Sequence, residues 1–371
     1  MQWNKENEMK NVLLSMIVVA AFVANAFAQK SDPGIQSKSF NVKPGGTVTV
    51  DVDPGSIIIE SWDKNEVQVE ADGIDERHPE RLIVSQSGND ISVRYTDRRA
   101  RSEDIEFRIS VPSAFNAGIT TGGGSVKQRG DLTGKFTVET GGGSITVDHV
   151  IGNVSLETGG GSIKTRSVEG DAKLETGGGS VDAGGVTGTL HVTTGGGSIT
   201  LRKNAGPVEA ETGGGSIRVE DAQSSTVLTT GGGGISVTGS KNGTRVKTGG
   251  GSINLENIRG YVVASTGGGS IDVELIPEGN TNSSVTTGGG EIQLRLPENA
   301  KARIDAEIEQ GHGWGRSRER HGIRSDFPAE NSEKDEEGSI ISARYILNGG
   351  GPTIVLRTSG SDIEIIKSSS R

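Results

Sequence analysis

Through the middle of the chain, apolar and polar residues alternate in short runs. In residues 140–157, TGGGSITVDHVIGNVSLE, Ile145 and Val147 alternate with polar neighbours, and Val154 and Leu156 do so again. Period-two alternation marks a half-buried strand, so the segment predicts two short strands separated by a turn around residues 148–152. The next segment repeats the pattern with Ile163, Val168, Ala172 and Leu174, and the one after with Val181, Ala183, Val186, Leu190 and Val192. No stretch of this region has a helical period.

The pattern is locked to a motif. A Thr opens Thr-Gly-Gly-Gly or a close variant at 121, 140, 158, 176, 194, 212, 230, 248, 266 and 287; the first spacing is 19, the next seven are 18 and the last is 21. Such self-similarity marks a repeat architecture. A propeller blade needs about 40 residues or more, and a free hairpin cannot bury its apolar face. Coiling the chain so that each strand pairs in parallel with its copy one turn later satisfies both limits. The predicted fold is all-β: a single-stranded right-handed parallel β-solenoid with 18-residue coils, two short strands per coil, capped at both ends. Ten motif-bearing coils at about 4.8 Å each make a rod of about 48 Å.

Two other architectures fail on spacing. A hexapeptide β-helix needs an aliphatic or small residue every six positions, yet stepping by six from Ile163 gives Glu169 and Glu175. A calcium β-roll needs Gly-Gly-x-Gly-x-Asp twice per coil, and here the triglycine occurs once with no Asp at that offset. The triglycine is expected to serve a sharp corner, both by positive φ and by sparing crowding between stacked copies. Alternation from Val154 and Leu156 points Thr158 inward, as the first member of a Thr ladder bonded to its own copies. An inward column is a better account of the threonines than a flat ice-binding face.

Composition bounds the rest. Low apolar content (31%) and a net charge of −10 would suit a disordered chain, but the regular alternation opposes that. The acidic balance argues against a nucleic-acid partner. There is no Cys, hence neither disulfide nor lipidated thiol. Lys5 and Lys10 precede an apolar run over 12–24, and Ala26-Phe27-Ala28 supplies a small-x-small cleavage pattern. Residues 1–28 are therefore expected to be a signal peptide cleaved after Ala28. The protein is then exported to the periplasm or cell surface, with no integral membrane segment in the mature chain. The expected organisation is a flexible lead over 29–39, an N-terminal cap with degenerate coils over 40–120, and the regular array over 121–295. A C-terminal capping region follows over 296–371, with a charged excursion at 311–338. "VDVDPGSIIIESWD" (50–63) and "LRTSGSDIEI" (356–365) are worn copies of the unit.

These end segments, with "ISVPSAFNAGITTGGGSV", the TGGGSI array and "LNGGGPTIVLRTSGSDIEI", resemble the bacterial "putative adhesin" β-solenoid family over residues 40–366. The resemblance implies an exported envelope protein, and it brings no agreed catalytic residues to carry over.

Two surfaces carry candidate chemistry. Glu139, Glu157 and Glu175 precede the motif Thr and point outward; stacked about 5 Å apart, they approach the spacing of a retaining glycosidase pair. Any repeat with an outward Glu produces this column, so a solvated face is the favoured reading. The excursion "EQGHGWGRSRERHGIRSDF" places His312, Trp314, Arg316, Arg318 and Arg320 together, a composition suited to an anionic glycan or peptide. Glu330, Glu333, Asp335, Glu336 and Glu337 follow and can neutralise it. No catalytic triad, metal-ligand spacing or phosphate loop is present, so no cofactor is expected. The favoured function is a non-enzymatic adhesin-like rod whose partner is an envelope glycan or envelope protein. A polysaccharide-active β-helix enzyme and an envelope-stress or assembly partner are the alternatives.

Overall fold

A computed structural model describes residues 36–75, 77–97, 104–310, 321–334 and 339–368. Among the described residues the fold is all-β, with a three-residue 3-10 turn at Pro79–Arg81 as its one helix. Each coil gives one strand to each of two parallel sheets. Ile145–Ile151 lies in the first sheet and Val154–Thr158 in the second. The expected turn over 148–152 is shorter than predicted: the strand runs on past a register irregularity at Val147/His149, and the chain turns only at Gly152 and Asn153.

Stacking is in register. Phe136–Thr140 pairs in parallel with Val154–Thr158, which pairs with Ala172–Thr176. In the first sheet Ile145 faces Ile163, which faces Val181. Each apolar column thus packs on its own copies. Ile145, Leu156, Ile163, Leu174, Val192 and Leu201 are all at most 1% exposed. Full burial of such side chains contributes about 1.5–3 kcal/mol each. The columns form one continuous core between the sheets. Large aromatics close it at the N-terminal end: Tyr95, Phe107, Phe115 and Phe136 are buried there, with Tyr95 and Phe107 rings 5.6 Å apart.

The corner motif works by contact between coils. The Thr158 hydroxyl donates to the Gly143 carbonyl of the preceding coil (2.8 Å) and accepts from Gly161 N–H of its own corner (3.1 Å). The same pair of bonds recurs at Thr140, Thr176, Thr194, Thr212, Thr230, Thr248 and Thr266. The threonines do point inward, but they bond to the neighbouring glycine carbonyl rather than to one another. The expected positive φ is also absent from the triglycines between 141 and 290. Crowding is what selects glycine at the first and third positions of the triplet. A Cβ on Gly161 would lie 2.1 Å from the Gly143 carbonyl oxygen, and one on Gly159 would lie 2.2 Å from that of Gly141. The middle residue, Gly160, has nothing within 4 Å of such a Cβ.

At both ends, the stack departs from chain order. In the second sheet Thr47–Val52 lies between Asp90–Tyr95 and Asn116–Thr121. Thr353–Ser359 lies between Ser283–Thr287 and Ala302–Glu309. The worn copies at 50–63 and 356–365 therefore stack directly on the array. Thr121 donates to the Gly55 carbonyl and Thr358 to that of Gly290, which extends the corner bond across both junctions. Antiparallel strands finish the rod. Gln36–Asn41 pairs with Glu66–Asp72, Leu82–Ser87 with Asp90–Tyr95, and Asn331–Lys334 with Ile340–Leu347. Residues 36–39 are thus strand, not flexible lead; Val67 and Val69 supply the buried face on the strand they join. Short, polar outer strands such as Asn331–Lys334, exposed at every residue, suit a sheet edge that must not recruit further strands.

Candidate functional site

Outward positions of the second sheet form two columns, because strands five residues long show two side chains to solvent between three buried ones. One column runs through Glu139, Glu157, Glu175, Thr193 and Glu211. The three predicted carboxylates are adjacent in register, as stacking requires. Glu139 and Glu157 are exposed. Glu175 is half-buried and carries an ion pair with Lys173 at 3.0 Å. The second column holds Ser155, Lys173, His191 and Glu209, with His191 Nδ1 3.3 Å from Glu209. Further along, the same face carries Val227, Thr229, Arg245 and Lys247.

The first sheet is organised differently. His149 bridges three coils: its Nδ1 lies 2.9 Å from Asp131 and its Nε2 lies 3.3 Å from Glu169. The Asp131 hydrogen bond, aided by Glu169, raises the pKa of His149 above the ordinary histidine value against the opposing effect of burial. Arg202 pairs with both Asp182 and Glu220, Arg166 with Asp148, and Arg295 with Asp272. Charges on this face cancel between neighbouring coils. The His149 bridge was missed in the sequence. Its signal was present in the spacing of Asp131, His149 and Glu169 by 18 and 20 residues.

A cleft of about 440 Å³ opens beyond the array, where Ile340–Leu347 returns antiparallel on Ala302–Glu309. Its floor is Ala306, Ala343 and Val355, and its rim is Asp305, Glu307, Asn331, Glu333, Arg344 and Arg357. Arg344 Nε donates to Asp305 at 2.8 Å, and that bond raises the arginine's pKa further. Arg357 lies 3.9 Å from Glu307. The acids and arginines thus oppose one another in pairs. No sequence signal reveals this cleft, since it depends on the antiparallel return of a distant strand.

His312, Trp314, Arg316, Arg318 and Arg320 lie outside the described residues. The nearby Arg324 is described. It pairs with Asp362 and Glu364 on the closing coil, at 3.7 and 3.3 Å. His321 lies 3.7 Å from Asp362. Among the described residues no group of three or more His, Asp or Glu is placed to hold a metal ion. No helix among them is long and apolar enough to cross a membrane.

Residues 203–322 match the Toastrack DUF4097 family model. No curated protein gives a match. Several solved structures are similar. One is a putative adhesin from Parabacteroides distasonis, 13% identical, covering 90% of this chain and 98% of that one at a TM-score of 0.31. Another putative adhesin, from Bacteroides fragilis, is 11% identical and covers 91% and 97% at 0.22. A putative lipid binding protein from Parabacteroides distasonis is 12% identical and covers 91% and 98% at 0.27.

Proposed function

From its place with the putative-adhesin β-solenoids, supported over residues 203–322 by the Toastrack match, we propose that this protein is a non-enzymatic, exported rod. It presents a long repetitive surface to a partner in the cell envelope. The observation that carries this reading is the disposition of its polar side chains. Glu139, Glu157 and Glu175 sit in an in-register column on the outside of a sheet, spaced by stacking alone. Such a column offers the same group again and again to an extended ligand, which is how repeat proteins bind. We take the coil to wind right-handed with 18 residues per turn, the hand that parallel crossovers favour. Residues 1–28 act as the export signal.

The test is one incubation of the chain from Gln29 onward with a panel of cell-wall and acidic polysaccharides, following retention and chain shortening together. Retention without shortening supports the rod as a binder. Shortening that disappears in a Glu157→Gln variant would replace this reading with a polysaccharide-active enzyme. Neither retention nor shortening would assign the surface to an envelope protein.

A further inference from the structure

The outer face of the second sheet is split by charge along the rod. Its N-terminal half carries Glu139, Glu157, Glu175, Glu209 and Glu211, with Lys173 among them already paired to Glu175. From Thr226–Thr230 to Ser283–Thr287, four successive strands place no carboxylate on this face. In their midst Arg245 and Lys247, both exposed, stand two residues apart on one strand. Neither has an ion pair within the chain among the described residues. The first sheet shows that this chain can neutralise charge coil by coil, as at Asp182, Arg202 and Glu220. Across the array strands of the second sheet the ion pairs are Lys173 with Glu175 and His191 with Glu209, which leave Arg245, Lys247, Glu139, Glu157 and Glu211 outside any ion pair among the described residues. The cations and the carboxylates that would match them are held about five coils apart, about 24 Å, on the same flat face.

We propose that two copies of the chain pair antiparallel through this face, each laying its glutamate column on Lys247 of the other, with Arg245 beside it over Ser155. Parallel pairing would set each glutamate column against its own copy. A two-fold axis along the strands, between Leu190–Thr194 and Val208–Thr212, reverses the rods and keeps strand direction. Lys247 then faces the partner copy's Glu157, with Glu139 and Glu175 one coil to either side. Glu209 faces His191, and Glu211 faces Thr193. The match needs no adjustment of spacing, because both copies repeat at the same distance of about 4.8 Å per coil. The contact is isologous, so it closes at two copies and does not grow a fibre. Eight coils of overlap, about 38 Å by about 16 Å, cover roughly 600 Å² per copy. That lies at the lower edge of specific interfaces, and its polar character makes association weak and salt-dependent.

The experiment is sedimentation velocity of the chain from Gln29 onward, at about 20 and about 200 mM salt. The wild-type chain should dimerise, with at least a tenfold weakening at the higher salt. Two reversal variants, Arg245→Glu/Lys247→Glu and Glu139→Lys/Glu157→Lys/Glu175→Lys, should each be monomeric alone and should form a one-to-one dimer when mixed. Mixing restores both contacts of the two-fold pair, a result that mere unfolding cannot mimic. The milder Lys247→Gln variant, at least threefold weaker in self-association, serves if a reversal variant does not fold. A monomeric wild type at about 100 μM in low salt, reversal variants that dimerise as the wild type does, or a mixture that stays monomeric would overturn the proposal. The second copy covers the same glutamate column that the proposed function offers to an envelope partner, so the two occupants exclude one another there. None of these readouts uses a glycan, so failure of the dimer is distinguishable from failure of the binding function.

Discussion

Each coil turns two corners, and the two follow different rules. At the Thr-Gly-Gly-Gly corner the composition hardly varies, yet no glycine from 141 to 290 in these triplets has positive φ. At the opposite corner the composition drifts, and the left-handed conformations gather there. Gly152, Gly170 and Gly185 have φ of 145°, 155° and 62°, but Lys203, Asp221 and Asn242 also adopt 55°, 56° and 65°. A non-glycine residue in that region costs on the order of 1 kcal/mol, which the fold tolerates. A Cβ 2 Å from a carbonyl oxygen cannot be tolerated at all. At the first and third positions of the triplet glycine recurs where the preceding coil leaves no room, while the middle glycine stands in open space and the opposite corner accepts glycine only as one of several residues that bend the backbone.

Substitutions that separate contact from conformation sharpen this contrast. The largest effect should come from Gly161→Ala, whose Cβ would meet the Gly143 carbonyl at 2.1 Å. Neighbouring coils must part, for a loss of roughly 3–5 kcal/mol in urea unfolding. Gly160→Ala, one residue away in open space, should change stability by less than about 1 kcal/mol, and in the stabilising direction. Next comes Thr158→Val, which strands the Gly143 carbonyl and the Gly161 N–H. It should cost about 1–3 kcal/mol by the same measurement.

The variable corner offers the converse change. Asn204 is wholly buried, and neither side-chain polar atom has a partner among the described residues. It stands in the column otherwise held by Val168, Val186, Ala222, Ser240 and Ile258, where Ser240 does find a partner in the Ser224 carbonyl. Replacing it with Val, as at Val186, should raise stability by about 1–3 kcal/mol. A lower melting temperature for Asn204→Val would show that the amide is fully satisfied in the fold. The smallest effect concerns His149 on the strand that leads to this corner. Its folded pKa is raised by Asp131 and Glu169. The contribution is therefore complete below the unfolded histidine value near 6.5, and it is lost as pH climbs through the raised folded value. Melting scans from pH 5.5 to 8.5 should show the wild type falling relative to His149→Gln as pH rises. A constant difference between the two would remove the bridge as a source of stability.

The array was legible because its signals are local and repeated. Alternation around Ile145, Leu156 and Ile163 predicted strands, facing and core, and the outward parity of Glu139, Glu157 and Glu175 predicted their column. The inward direction of Thr158 was readable, but its partner was not. A hydroxyl facing a stack of its own copies gives no hint that a glycine carbonyl lies closer. The caps escaped for a different reason. The worn copies at 50–63 and 356–365 show themselves as coils. Nothing in their residues says that Thr47–Val52 or Thr353–Ser359 takes a place in the stack out of chain order. That order is decided by strands far away in sequence, and so is the cleft beside Arg344.

Whether stacking contact rather than turn conformation places the corner glycines is tested most directly by changing six members of the middle column at once. Gly142, Gly160, Gly178, Gly196, Gly250 and Gly268 each leave open space around a Cβ. A chain with all six replaced by Ala should keep its β-sheet circular dichroism and unfold in urea at a midpoint equal to or above that of the wild type. Loss of the folded signal, or a midpoint well below the wild type, would mean that the middle position needs glycine for its backbone, contrary to the contact-based reading of the corner.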